Sequence, residues 1–420
     1  MKAANGNGPE TLQIVKDYAV SSVVFPGGGF LKRAALFAVI CLLIPVTAIS
    51  SALSETLGFG FVNNKDVALR RGIGGKIIVR LPENACVWIR DSGTDREGVL
   101  WYEINAGLHT DHANVDYTGW MKAEFVDAGD ALWHGIQSVK ASGSGMVALK
   151  TDGTAVSAGS LAAPEPSDWT EERSWSQSLR GIRQAGFCEG GLVRYALAQD
   201  GTFRQYGAPS GILGETPLRL VGGSVSIYGI SGDNRLLTGE GEAVINWVFP
   251  HAPGPGELAR VVGIEDNGCR VLLLTDDGKV FAAKDDSGDT EPDWENWTEI
   301  AGLEASAAQL TPGTREFRAA YAAVRKDGTV LAAPDELAGL IGNWTDMAKI
   351  AIGDRWALGL KRDGTVLSAG FAGAVPPDVS GWKDIADLDA GSDYCVGIRS
   401  DGTAVFAGEF IFMREGHSRR

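Results

Sequence analysis

The chain has 420 residues, 44% of them hydrophobic and 22% charged, enough apolar material for more than one core and unlike a disordered composition. Its 56 glycines follow no three-residue period, which excludes collagen, and with 12 tryptophans they point to many tight turns between short strands. A formal charge of −15 argues against nucleic acid as a partner, and five scattered cysteines (Cys41, Cys86, Cys188, Cys269, Cys395) supply neither a C-x-x-C pair nor a zinc spacing.

Residues 1–33 read as a cytoplasmic leader. Residues 34–53, AALFAVICLLIPVTAISSAL, carry no charge over a length that crosses a bilayer. Lys32 and Arg33 precede this run and Glu55 follows it, which keeps the N-terminus in the cytoplasm and sends the rest across the membrane. Two outcomes stay open. Ser50 and Ala52 supply the small residues of a cleaved signal peptide; the long leader favours an uncleaved transmembrane helix that holds the chain to the membrane. Either way the expected location is the extracellular side, at the cell surface or secreted.

Residues 60–128 alternate short apolar runs (Val67 and Leu69; Ile77, Val79 and Leu81; Val87 and Ile89; Trp101 and Ile104) with Gly, Asn and Asp clusters, a pattern of four to five short strands in a small barrel. Three ordered pieces, Asp66-Val67-Ala68-Leu69-Arg70, Trp101-Tyr102-Glu103-Ile104 and Gly119-Trp120-Met121-Lys122-Ala123-Glu124-Phe125-Val126, closely resemble the bacterial Src-homology-3-like domain. The resemblance implies a module that targets cell-wall peptides or acts as a spacer. Trp101 and Trp120 are read first as packing, because so small a barrel needs large side chains to fill it, and second as ligand contacts. His109-Thr110-Asp111-His112 has the look of a metal clip but reads as a surface loop.

Residues 131–412 repeat. Trp344–Gly370, Trp382–Gly408 and Trp133–Gly159 align without a gap, each with Trp 19 residues before an Asp-Gly pair. Turn aspartates at Asp152, Asp200, Asp233, Asp277, Asp327, Asp363 and Asp401 mark seven units, the third degenerate with Asp233-Asn234. Asp-Gly between apolar runs predicts a two-residue hairpin with positive φ at both positions. Small residues such as Gly359, Gly397 and Ala148 suggest strands packed near a central axis. Sheets of three or four strands bury both faces when arranged radially, so the predicted fold is all-β: a seven-bladed β-propeller after a small barrel and an N-terminal hydrophobic helix. The frame Trp…Ile…Ala-Gly…Leu…Asp-Gly-Thr-Val…Gly, complete in the last two units, resembles the regulator of chromosome condensation repeat. Its Gly-, Gln- and Asn-rich follow-on loop is mostly absent, and no eukaryotic role is implied for an exported, acidic chain.

Catalytic motifs are missing from the sequence. Five histidines leave little for acid–base work or metals, and no Gly-x-Ser-x-Gly, His-Glu-x-x-His or phosphate loop occurs. Asp285 and Asp289, in the acidic stretch 285–291, are weak candidate Ca²⁺ ligands, and a solvated charged loop is the preferred reading. No metal or cofactor is expected. The inter-blade connections carry Trp169, Trp175, Trp247, Trp294 and Trp356, residue types that dominate recognition hot spots. With Trp101 and Trp120 they form the candidate binding set. The expected function is an exported cell-surface or wall-associated binding protein, its propeller gripping a protein or a cell-wall glycan or peptide. The alternatives are a propeller lyase or glycan hydrolase, which needs His or carboxylates converging on the channel, and a structural spacer.

Overall fold

The computed structural model describes residues 58–110, 113–129, 132–143, 145–159, 166–188, 193–206, 218–223, 227–238, 253–267, 270–283, 292–313 and 316–410. The chain divides into a unit of residues 1–54 and a unit of residues 55–420, and every described residue belongs to the second. The leader and the apolar run 34–53 lie outside the described residues, as do Trp247, Asp285 and Asp289. No described helix is long and apolar enough to cross a membrane.

The second unit opens with one antiparallel sheet of seven strands: β1 (Gly58–Val62), β2 (Val67–Arg70), β3 (Ile77–Leu81), β4 (Cys86–Thr94), β5 (Leu100–Thr110), β6 (Ala113–Lys122) and β7 (Val126–Asp127). Their order is β3-β2-β6-β5-β4-β1-β7. The strand count exceeds the expected four to five because β1, Gly-Phe-Gly-Phe-Val, is buried along its whole length and so shows no polar alternation, and because β7 has two residues. The segment expected to be a loop at His109 is the end of β5, whose His109 and Thr110 pair with Asn114 and Ala113. Leu69, Leu81, Val87, Ile89, Ile104 and Met121 make the core. At the β4–β5 turn Asp95 accepts the amides of Glu97 and Val99 and the Trp101 indole N–H, a set of bonds that holds its carboxyl below the usual range.

Seven three-stranded antiparallel sheets follow among the described residues. In chain order they are β8 (Ile136–Ser142), β9 (Gly145–Lys150) and β10 (Ala155–Gly159); β11 (Ile182–Cys188), β12 (Val193–Ala198) and β13 (Phe203–Tyr206); β14 (Leu218–Gly222), β15 (Tyr228–Ser231) and β16 (Leu236–Thr238); β17 (Val261–Asp266), β18 (Val271–Thr275) and β19 (Val280–Ala282); β20 (Ile300–Ala308), β21 (Arg318–Arg325) and β22 (Val330–Ala333); β23 (Met347–Ile352), β24 (Trp356–Lys361) and β25 (Val366–Gly370); β26 (Ile385–Ala390), β27 (Tyr394–Arg399) and β28 (Ala404–Gly408). Helices α1 (Pro166–Ser178), α2 (Pro255–Leu258) and α3 (Asp335–Ile341) lie in the connections between sheets. The first strand of each sheet packs on the next sheet, and β26 packs on β8, so the array closes as a β-propeller.

The repeated turn explains both the blade and the ring. Its loop has three residues, not two: the Gly153 amide donates to the Lys150 carbonyl and the Lys150 amide to the Thr154 carbonyl, leaving Thr151, Asp152 and Gly153 between the strands. Gly153 alone has positive φ, at 77°, and the equivalent glycines of five other blades lie between 83° and 90°. The geometry is a turn followed by a left-handed glycine bulge, so the aspartate needs no unusual backbone. Its role is in the side chain: Asp152 Oδ1 accepts both the Thr154 amide and the Thr154 hydroxyl, as Asp327, Asp363 and Asp401 do from their own threonines. The turn glycine's carbonyl then accepts the amide that opens the next blade: Ile182 on Gly153, Leu218 on Gly201, Ile300 on Gly278, Met347 on Gly328, Ile385 on Gly364 and, across the closing seam, Ile136 on Gly402.

Gly359 and Gly397 lie on the second strands, away from the axis. A Cβ on Gly359 would stand 2.6 Å from the Trp344 ring, and one on Gly397 would stand 2.7 Å from the Trp382 ring. The small residue makes room for the repeat's tryptophan, which explains why the two recur in one frame.

The seam between last and first blades is covered from outside by the N-terminal sheet. Phe59, Phe61, Cys86 and Trp88 of that sheet share one cluster with Trp133 and Met146 of the first blade, Tyr394 and Phe406 of the last, and Phe410. The Phe59 ring lies 5.0 Å from Trp88 and 4.7 Å from Phe410. Trp133 donates its indole N–H to the Phe59 carbonyl at 2.6 Å, and Asn105 donates to the Phe410 carbonyl at 3.0 Å. Any side chain at Gly58 would collide with the Phe406 ring.

Candidate functional site

Each of the seven first strands has a bulge after its first residue, as between Ile136 and Ser138 or Ile385 and Asp387. Most residues two and four beyond the strand starts line a cavity of 370 Å³ on the axis. Small or neutral residues occupy much of this lining, including Ser138, Gly222 and Gly263, but Lys140, Glu265, Glu304, Lys349, Asp387 and Asp389 place charges at these strand positions, and Arg183, Asp266 and Asp354 also line the cavity.

Most of these charges are already partnered. Lys349 Nζ lies 2.7 Å from Asp387 Oδ1. Lys140 Nζ reaches from the first blade to Glu265 Oε1 of the fourth at 3.4 Å. Asp387 accepts the amides of Val139 and Leu388, and Asp389 accepts those of Ala141 and Ala390. These two aspartates therefore bind the last blade to the first across the seam. Glu304 accepts no hydrogen bond among the described residues; burial pushes its carboxyl well above the usual range, with Lys140 opposing the shift. Burial also raises Glu265, again against Lys140. Lys140 is itself held well above an ordinary lysine by Glu265. Burial acts to lower Lys349, but Asp387 and Asp389 outweigh it and leave its pKa raised.

The sequence reading did not single out these six residues. A signal was present: Lys140, Glu265 and Asp389 each stand twelve residues before their turn aspartate (Asp152, Asp277, Asp401), and Lys349 and Asp387 stand fourteen before theirs. Charge at those two places, between the buried apolar positions of the first strands, marks the axis. The described residues contain no group of three acidic, His or Cys side chains arranged to hold a metal ion.

The tryptophan set is dispersed. Trp356 is 3% exposed and packs with Leu358 and Trp382, and Trp101 is 4% exposed with its N–H on Asp95, so both are packing residues without a free face for a ligand. Half-buried Trp175, on α1, packs toward Leu179 and Ile182, 6.0 Å from the Tyr206 ring. Trp294 is half-buried and meets Trp297 and Tyr321 edge-on. Trp120 is half-buried in the N-terminal sheet, opposite Arg70 and Glu103. Trp169 also lies on α1, its side chain outside the described residues. Each visible ring packs into its own neighbourhood, and the structure brings no two of the described candidates from different blades together.

No family model matches the chain, and no curated protein matches it. Among solved structures it is similar to the β-propeller domain of Cps50 (Swd1) from Myceliophteria thermophila, at 10% identity over 66% of this chain and 96% of that one, with a TM-score of 0.39. It is also similar to yeast RCC1 (Prp20), solved with Kap60, at 15% identity over 65% and 70% and a TM-score of 0.33. A third is BamB from Moraxella catarrhalis, at 12% identity over 85% and 100%, TM-score 0.34.

Proposed function

We propose that the chain is an exported, non-catalytic binding protein of the cell surface or cell wall. In this reading it is a seven-bladed propeller of the regulator of chromosome condensation type, joined to a Src-homology-3-like barrel and preceded by a signal peptide or anchor. The observation that supports it best is the stitched ring. Turn-to-strand hydrogen bonds at six junctions hold the Asp-Gly edge of the propeller as a fixed frame. The blades are therefore held in fixed positions relative to one another, so a partner that spans several of them meets a frame that need not be assembled on binding. A protein or a cell-wall glycan or peptide is the partner class, and no cofactor is needed.

The test is capture from cell envelopes by the 55–420 unit. The propeller segment alone is the wrong bait, because removing the barrel bares the aromatic cluster at the seam. Retention of a defined envelope component, lost on substituting the loops that join first and second strands, supports recognition; no retention at any salt concentration leaves the spacer reading. Fractionation and sizing of the mature chain separate anchor from cleaved leader.

One observation favours a second reading, a lyase or glycan hydrolase. Carboxyls do converge on the axis, and Glu265 and Glu304 both sit above the usual range, as a proton donor requires. Release of new sugar ends from wall glycans, abolished in Glu304→Gln and Glu265→Gln, would establish it.

A further inference from the structure

We propose that the outer edge of β3 is a docking strip for an extended acidic peptide of a partner protein, which adds to the N-terminal sheet as a further strand. The sheet has two ends, and they differ. Strands β1 and β4 are committed to the propeller seam through Phe59, Phe61 and Trp88. β3 stands at the far end of the order, paired only with β2, and one of its sides carries no strand among the described residues. A free strand edge presents a row of main-chain donors and acceptors that an incoming extended chain can satisfy.

The pairing of β2 with β3 slips by one residue between Leu69 and Arg70, which leaves Ile78 as an extra, bulged residue opposite them. Ile77 and Ile78 are 45% and 38% exposed, so two adjacent apolar side chains at this bulge are open to water and available to an incoming chain. Half-buried Trp120 lies beside this strip, on the strand next to β2 and opposite Arg70.

Charge selects the occupant. Residues 65–81 carry five basic side chains (Lys65, Arg70, Arg71, Lys76, Arg80) against Asp66 alone, in a protein whose net charge is −15. Lysine on a strand edge also discourages non-specific pairing, but that accounts for Lys76 and Arg80, not for exposed Lys65 and Arg71 on the neighbouring turns. A basic strip on an acidic molecule attracts acidic segments and repels the basic ones that an acidic surface would otherwise collect. β3 has five residues, so a peptide of five to seven residues matches it.

The experiment uses the full chain in detergent and three probes: a seven-residue peptide alternating Val and Glu, its counterpart with Lys for Glu, and vesicles containing phosphatidylglycerol. The Val/Glu peptide should bind, with affinity falling as salt rises, and should slow amide exchange at residues 77–80. The Lys counterpart should not bind. The double variant Arg71→Glu/Lys76→Glu changes two exposed side chains and should weaken binding at least tenfold with an unchanged unfolding midpoint. Ile77→Thr, which keeps every charge, should weaken it several-fold. The proposal is overturned if the Val/Glu peptide does not bind, if it binds the double variant equally well, if its protection falls elsewhere, or if only the vesicles respond to the substitutions. None of these results depends on what the propeller binds, so failure here leaves the envelope-capture experiment to stand or fall separately.

Discussion

The last blade and the third blade show what the repeat contributes. In the last blade Trp382 seats on Gly397, the Asp401-Gly402 turn bonds Thr403, and the Gly402 carbonyl receives the first amide of the next blade. The third blade has no tryptophan in that place, and Gly214 stands there instead. Its strands are the short β14, β15 and β16, its turn uses Asn234 at φ 61°, and Asp233 is bonded by Ser231 and Arg235 instead of a following threonine. No turn-to-strand bond to Val261 is present at its exit among the described residues. Yet the third blade keeps its place, because each neighbour packs on it: the lesson is that a ring tolerates one weak unit when the others fix its position.

The largest separation between these blades should come from the tryptophan. Trp382→Ala leaves a cavity over Gly397 and is expected to cost about 3–5 kcal/mol by chemical denaturation. Leu237→Ala, at a half-buried position of the third blade, should cost less than half of that. The turn comes next. Gly364 has φ 83°, and a Cβ there would meet the Ile385 amide at 3.1 Å, so Gly364→Ala is expected to lose about 1–2 kcal/mol. Asn234→Gly should move the other way, gaining less than about 1 kcal/mol, since glycine fits that backbone better.

Two pH effects of opposite sign follow. The turn carboxylates, such as Asp363, are held below 3.8 by the hydroxyl and amide of the next threonine. Their contribution is complete above the unfolded-state pKa near 4 and disappears as pH falls through the lower folded-state values, so stability should decline below about pH 4. Glu304 behaves in reverse. Its raised folded-state pKa means the native chain keeps a proton that the unfolded chain releases, so it lowers stability as pH rises above about 4.5. Glu304→Gln should therefore raise the unfolding midpoint at pH 7, and the gain should shrink toward pH 4.5. The smallest effect expected is that of Thr365→Ala, a slightly shallower acid limb, because its partner Asp363 is exposed.

The propeller could be read from the Asp-Gly frame, because hairpin turns are specified by adjacent residues. What that frame hid was the loop length: Asp and Gly both tolerate positive φ, and only the pairing of Lys150 with Thr154 shows that the aspartate does not use it. The tryptophan and the small residue on the second strand were visible as a pair, but their contact crosses two strands and no local pattern states it. The axis was missed for another reason. Lys140, Glu265 and Asp389 come from separate units whose meeting depends on ring closure, and single charges in apolar strands look like edge positions until the strands face one centre. The seam cluster was equally illegible, since Phe59 and Phe410 stand at opposite ends of the described chain.

That meeting of distant residues has a mechanical consequence. Gly58 and Phe410 both sit at the closing seam, so a pull applied between them loads the aromatic cluster, and with it the first and last blades, before the other blades. Tension would peel the seam first and leave the other described junctions unstrained, which makes the Phe59–Trp88–Phe410 contact the fuse of this unit.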